Sequence, residues 1–246
     1  MEVVVLALAG SATALATGLG AIPVSRLGAR ADDLRPALWG LTVGLMTVAS
    51  IVGLLLPVLD EGSTSSVVAG LIVGVVFLLV SRRLLEGRDV HVGKLSGAGV
   101  RRSVLVFAVL LVHSLPEGFA IGTAYASDTA GLGLFVILAI GLQNIPEGTS
   151  VAIPMEAAGF GRGQQFWAAV ATSLPQPFGA LLAYALVQQV ESLLPFSFAF
   201  AAGAMLALVV VELGPQAYER DTLPTALAGT VAGAALMLVL AAVLGV

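Results

Sequence analysis

The feature that most restricts this chain is the spacing of its charges. Stretches of Val, Leu, Ala, Gly and Ile run for about 20 residues at a time, and lysine and arginine fall only in the gaps between them. With 11% charged residues, the chain carries less than half of the roughly 25% that keeps an ordinary domain wet. A soluble globular domain is thereby excluded, and so is disorder, which needs high charge and low hydrophobicity. At about 30 residues per crossing and connection, 246 residues make about eight spans and leave no room for an extramembrane domain. The candidate spans are roughly 2–24, 37–59, 67–81, 103–124, 132–155, 165–189, 197–217 and 223–245. Helices are expected because each satisfies its own backbone in lipid, and the short alternating segments of a β-barrel are absent from the sequence. The expected class is an all-α, multi-pass cell-membrane protein with one transmembrane domain over residues 1–246, whose environment is membrane lipid. The acidic start Met1-Glu2-Val3 reads as the beginning of a span rather than of a cleaved signal. With no cysteine, disulfides and thiolate metal sites are excluded, and the net charge of −4 gives no sign of a nucleic-acid partner.

The basic residues also fix orientation. Arg26, Arg30 and Arg35 lie in the first connection, Arg82, Arg83, Arg88, Lys94, Arg101 and Arg102 in the third, Arg162 in the fifth and Arg220 in the seventh. All 11 Lys and Arg thus occupy odd-numbered connections, while the even ones hold Asp60, Glu61, Asp128 and Glu191. The positive-inside rule puts the odd connections in the cytoplasm and both termini outside. One span more or fewer would break the alternation. His91, in the long third connection, reads as a solvated loop residue.

Two kinds of self-similarity follow. Ala12-Thr13-x-Leu15 with Gly20-Ala21 returns as Ala171-Thr172-x-Leu174 with Gly179-Ala180. Gly44-Leu45-Met46 with Pro57 returns as Gly203-Ala204-Met205 with Pro215. The first three spans begin outside and the last three inside, which makes an inverted repeat of residues about 1–81 and 165–246 flanking central helices at about 103–155. The second similarity is sharper. His113-Ser114-Leu115-Pro116-Glu117-Gly118 in span 4 and Gln143-Asn144-Ile145-Pro146-Glu147-Gly148 in span 5 share one pattern. Both lie about a dozen residues from the connection that joins them, hence at similar depth in mid-membrane.

A carboxylate at that depth costs about 2.5–3.5 kcal/mol even on insertion scales, so Glu117 and Glu147 need a partner or a proton. Residues four apart share a helix face, which sets His113 with Glu117 and Gln143 with Glu147. An imidazole nitrogen, two carboxylates and an amide oxygen suit a divalent cation such as zinc, iron, manganese or cadmium. Ligation needs these groups deprotonated, so binding weakens as pH falls. Pro116 and Pro146 cannot donate to the carbonyls of Val112 and Leu142, and released carbonyls are tolerated only against protein or water. Glu212, in span 7, is the other deep carboxylate: a cytoplasmic exit residue, a proton relay or an interhelical hydrogen-bonding group. Small-residue faces on the first and last spans permit a homodimer.

The paired hexapeptides resemble those of the Zrt/Irt-like (ZIP) family of divalent metal transporters, and the similarity extends over nearly the whole chain. It includes Gly44-x-Met46, Gln176-Pro177-Phe178-Gly179-Ala180 and Val211-Glu212-Leu213-Gly214-Pro215. The resemblance implies eight spans in a 3+2+3 inverted repeat and import of a divalent cation, zinc first. It also implies no prosthetic group and no enzymatic activity. His113, Glu117, Gln143 and Glu147 would form the main transport site, with Met46 either a soft ligand or a packing residue. Ser114, Asn144 and Gln176, with the shared Glu117 and Glu147, match the family's second metal site. Three positions depart from it: Ser114 stands where Asn is common, Gln143 where His is common, and Gln176 where Glu is frequent. Gln in place of Glu removes a negative charge and Gln in place of His removes the strongest neutral ligand, which weakens the case for the second site.

Two other classes compete. An intramembrane metalloenzyme could use a His and Glu on one helix, but the chain has no His-Glu-x-x-His and no nucleophile paired with a second histidine in the hexapeptides. A proton-linked organic-solute transporter could use the two glutamates as relays.

Overall fold

The computed structural model describes residues 2–59, 62–86 and 98–246, and all regular structure among them is helical. His91, with Asp60, Glu61, Arg88 and Lys94, lies outside the described residues. Among the described residues, 8 helical stretches are long and apolar enough to cross a membrane. They are span 1 (Glu2–Leu27), span 2 (Arg30–Leu59), span 3 (Thr64–Leu85), span 4 (Phe107–Ala126), span 5 (Leu132–Ala157), span 6 (Arg162–Gln189), span 7 (Glu191–Ala217) and span 8 (Arg220–Leu244). Each matches one expected stretch, with ends within about four residues except the starts of spans 2 and 7, which lie 7 and 6 residues earlier. The observed ends reach further where polar connection residues serve as caps, as where Gln164 Oε1 accepts the free N–H of Gly161 at 2.9 Å.

Four spans differ from a plain helix in ways the local sequence explains. Span 1 breaks at Gly20, between helices Glu2–Leu19 and Ala21–Leu27, and span 6 breaks between Thr172 and Pro175. Spans 2 and 7 stay continuous but widen into π-helical turns at Ala49–Leu55 and Val209–Leu213, each followed by a proline, Pro57 and Pro215. Pro215 cannot donate to the carbonyl of Val211, and that carbonyl accepts Arg82 Nη1 of span 3 at 3.1 Å instead. The bond shows the ends of spans 3 and 7 at the same membrane face. Likewise the Tyr184 hydroxyl, late in span 6, donates to Glu2 at the start of span 1. Both contacts agree with strict alternation of the crossings.

Lipid supplies no hydrophobic force between helices, so spans associate through close packing at small residues. A Cβ on Gly74 would stand 2.1 Å from the carbonyl oxygen of Phe200, and one on Gly233 2.3 Å from that of Leu41. Span 3 therefore lies backbone to backbone on span 7, and span 8 on span 2. Gly74 and Gly233 are 159 positions apart in the sequence, as are Leu41 and Phe200 that they face. Spans 2, 3, 7 and 8 make one group in this way; span 4 packs on span 6 and span 5 on span 1 to make a second. An apolar core that includes Leu45, Leu54, Phe135, Ile140, Met205 and Leu208 fills the space between the groups. The small-residue faces of spans 1 and 8 are used within the chain, Gly10 against Pro177 and Gly233 against Leu41.

Gly74→Ala should therefore force spans 3 and 7 apart and destabilise the protein by about 1–3 kcal/mol or more, as overpacking does. Gly163→Ala, whose Cβ would meet nothing within 4 Å, should be neutral or slightly stabilising. Thermal unfolding of both variants in detergent reads the difference.

Candidate metal centre

Spans 4 and 5 carry the hexapeptides as uninterrupted helices, with Pro116 and Pro146 inside them. Their glycines set what stands beside them. A Cβ on Gly118 would lie 2.3 Å from the carbonyl oxygen of Gln176, and one on Gly148 1.8 Å from that of Thr17. The broken span 6 thus presses on span 4 next to Glu117, and the broken span 1 on span 5 next to Glu147.

The result is a deeply buried polar cluster. His113, Glu117, Gln143, Asn144 and Gln176 are 0% exposed and Glu147 is 4% exposed. Ligand atoms of His113, Glu117 and Glu147 all lie within 4.8 Å of one another. His113 Nε2 stands 3.4 Å from Glu117 Oε1, and Gln143 Nε2 donates to that same oxygen at 2.6 Å. Both ring nitrogens of His113, Gln143 Oε1 and Glu147 Oε1 are buried without a hydrogen-bond partner. An unsatisfied buried polar group costs about 1–3 kcal/mol, so the convergence of these atoms is an expensive arrangement for packing alone. An imidazole nitrogen and two carboxylates at this spacing, with an unpartnered amide oxygen on the neighbouring Gln143, fit a borderline or hard divalent cation, and two negative charges balance its charge.

The residues expected of a second site behave differently. Gln176 Nε2 donates to Glu117 Oε2 at 2.6 Å, and Gln176 Oε1 accepts from Thr13 Oγ1 at 2.8 Å and from Asn144 Nδ2 at 3.1 Å. Asn144 Nδ2 also donates to the Thr13 carbonyl at 2.7 Å. Ser114 stays apart from this network and donates to Leu110 of its own helix at 3.0 Å. Thr13 was not singled out by sequence reasoning; its recurrence as Thr172 in the repeated stretches was the available signal.

Met46 is fully buried in the apolar core of span 2. Glu212 lies apart from the His113 cluster, in the π turn of span 7. Its Oε2 is 3.4 Å from Arg82 Nε, and its Oε1 accepts from Gln216 at 2.6 Å. Glu156, at the end of span 5, accepts from Gln165 Nε2 at 2.5 Å. Beside the even connections, a cavity of about 890 Å³ opens among Pro57, Ser127, Asp128, Glu191, Ser192 and Phe198. A second, much smaller cavity is lined by the apolar side chains of Leu54, Val136, Ile140 and Met205, with Ala49, Ala120 and Ala139.

The sequence of the ZIP Zinc transporter family matches residues 84–241. The zinc transporter GufA of Myxococcus xanthus is 34% identical over 94% of this chain and 95% of its own length. The zinc transporter ZIPB of Bordetella bronchiseptica is 34% identical over 97% of this chain and 81% of its own. A longer protein of Arabidopsis thaliana is 33% identical over 89% of this chain, which spans 36% of that protein.

The unpartnered atoms make a prediction that does not depend on these similarities. His113→Leu removes two buried, unbonded nitrogens, so in a chelator-treated sample its thermal stability should equal or exceed that of the parent. A fall of several degrees in unfolding temperature would mean that the imidazole is a structural element of the metal-free fold.

Proposed function

The chain belongs to the ZIP zinc transporter family, and on that premise we propose that it carries a divalent cation, zinc first, into the cytoplasm through the His113, Glu117, Gln143 and Glu147 cluster. That the protein is a multi-pass membrane transporter of divalent metals rather than an enzyme follows from the family and the eight spans. The observation that carries the site is the coincidence of two properties in the same residues. His113 and Glu147 have both: their ligand atoms converge with those of Glu117, and each holds buried polar atoms left with unmade bonds, as Gln143 does beside them.

The rest of the reading follows the topology. The odd connections, which hold every lysine and arginine, face the cytoplasm, and both termini lie outside. The large cavity at the even connections is then the outer vestibule, where Asp128 and Glu191 attract a cation with no basic residue nearby in those connections. Spans 1–3 and 6–8 form an inverted repeat around spans 4 and 5. Support comes from the shared order of a broken helix, a π turn and an uninterrupted helix, and from the equal 159-residue separation of Gly74 and Gly233 and of the carbonyls they face. The ion sheds part of its hydration in the cluster and leaves inward as one group of spans rocks against the other. The bonds Thr13 to Gln176, Asn144 to Thr13 and Thr17 to Ser173 all run within the group of spans 1, 4, 5 and 6. The site therefore moves as one body across an interface whose core is apolar. Met46, on span 2, is the candidate soft donor at that interface, and Glu212 stands on the cytoplasmic side as exit or relay residue, its charge balanced by Arg82.

Two measurements test this. In proteoliposomes, zinc uptake should fall about tenfold or more in Glu117→Ala and in Glu147→Ala, since each removes half the charge that balances the ion. Uptake indifferent to both changes would refute the site. In detergent, zinc at a hundred times Kd should stabilise the parent by about 2.7 kcal/mol and leave His113→Ala unmoved. An organic-solute transporter would give no stabilisation by zinc, iron, manganese, cadmium or cobalt.

A further inference from the structure

Glu117 separates two differently furnished halves of the buried cluster. Its Oε1 faces His113 and Gln143, where four polar atoms of the cluster lack partners: both imidazole nitrogens, Gln143 Oε1 and, from span 5, Glu147 Oε1. Its Oε2 faces Gln176, and on that side the amides are all engaged. Gln176 gives its N–H groups to Glu117 Oε2 at 2.6 Å and Asn144 Oδ1 at 3.3 Å. Its oxygen receives Thr13 and Asn144, and the remaining Asn144 donor goes to the Thr13 carbonyl. The network fixes which way each amide points, because reversing Gln176 would set its oxygen against the carboxylate and its N–H₂ against the donors of Thr13 and Asn144.

We propose that Gln176 is a positioning residue whose amide stands in for a second cation on Glu117, so that this transporter binds a single metal ion, on the His113 side. The inference rests on the His113, Glu117, Gln143 and Glu147 reading given above and narrows it. Two arguments carry it. A cation on the Gln176 side would have to break bonds that are already complete, whereas one on the His113 side completes bonds that are not. The charge count agrees: Glu117 and Glu147 are the acidic members of the cluster, and their two negative charges balance one divalent ion. A second ion would leave two positive charges uncompensated in a site with 0–4% exposure, where unpaired charge is least tolerated. Gln176 reaches Glu117 only because Gly118 lets the backbone of span 6 approach within contact of span 4. By binding Oε2, it leaves Oε1 turned toward the imidazole.

The test is the amount of zinc bound per chain, by elemental analysis of the purified full-length protein after equilibration with zinc and removal of the excess. The expected result is one zinc per chain in the parent and none in His113→Ala. Gln176→Glu, which places a third carboxylate beside Glu117 and halves the charge a second ion would leave uncompensated, should bind a second zinc, more weakly than the first. Gln176→Ala should keep the single zinc but hold it about tenfold to a hundredfold more weakly, as loss of an outer partner does. Two zinc ions in the parent, with one lost in Gln176→Ala, would overturn the proposal and make the amide side a ligand site. One zinc in Gln176→Glu would overturn it as well. No zinc in the parent, or one retained in His113→Ala, would instead refute the main site on which the proposal stands. If Gln176→Glu fails to fold, the parent and Gln176→Ala still decide the question.

Discussion

Two carboxylates buried in the middle of a membrane set the terms for everything around them. A carboxylate in that position must be hydrogen-bonded, paired or neutralised, and every solution requires other groups to be brought to it in a medium where water is scarce. Glu117 is met from two sides by amides, Gln143 across from span 5 and Gln176 from span 6. Glu147 retains an oxygen without a partner. The helices that deliver those amides must come unusually close, and the glycines after each glutamate permit it. Ionic chemistry at the centre and backbone packing around it are thus one problem.

The same small-residue packing divides the molecule. Backbone contacts of spans 3 with 7 and 8 with 2 make a firm apolar group, while polar bonds join spans 1, 4, 5 and 6. What lies between is an apolar core of Leu, Ile, Phe and Met side chains. Interfaces of this kind are held by area rather than by directional bonds, so relative motion of the groups exchanges similar contacts for similar contacts. The hydrogen bonds of the polar cluster lie within spans 1, 4, 5 and 6, so the proposed rocking leaves them in place.

The crossings were legible in the sequence because the membrane imposes a strong, local rule: apolar stretches of sufficient length, with Lys and Arg on one side. The hexapeptides were legible for the same reason, since a glutamate and a histidine in the middle of such stretches are conspicuous. What could not be read was set by tertiary approach. The break of span 6 between Thr172 and Pro175 places Gln176 at the start of a helix aimed at Glu117, and nothing in the local sequence states which glutamate it will reach. Thr13 gave still less sign, because its importance lies in a hydroxyl and a carbonyl presented to two amides more than 130 positions away. The π turn at Val209–Leu213 was likewise hidden. Pro215 predicts an unbonded carbonyl, but only the fold shows that Arg82 takes it up.

The two glutamates occupy matching places in matching hexapeptides, yet they are not equivalent, and the difference traces to the span that lies against each. Span 6 offers Gln176 beside Gly118, long enough for its amide to reach the carboxylate; span 1 offers Thr17 beside Gly148, whose short hydroxyl bonds Ser173 at 2.6 Å instead. Glu117 is therefore oriented and half-satisfied by the protein, while Glu147 is left with bonding capacity to spend on something else. The lone histidine of the pair stands on the helix of the oriented carboxylate, and the amide Gln143 on the helix of the other. The imidazole thus stands 3.4 Å from the oriented carboxylate, and Gln143 reaches across to donate to that same oxygen, which leaves Glu147 the freer of the two. An ion held this way has one rigid side and one compliant side, which suits a site that must first capture a cation and then release it.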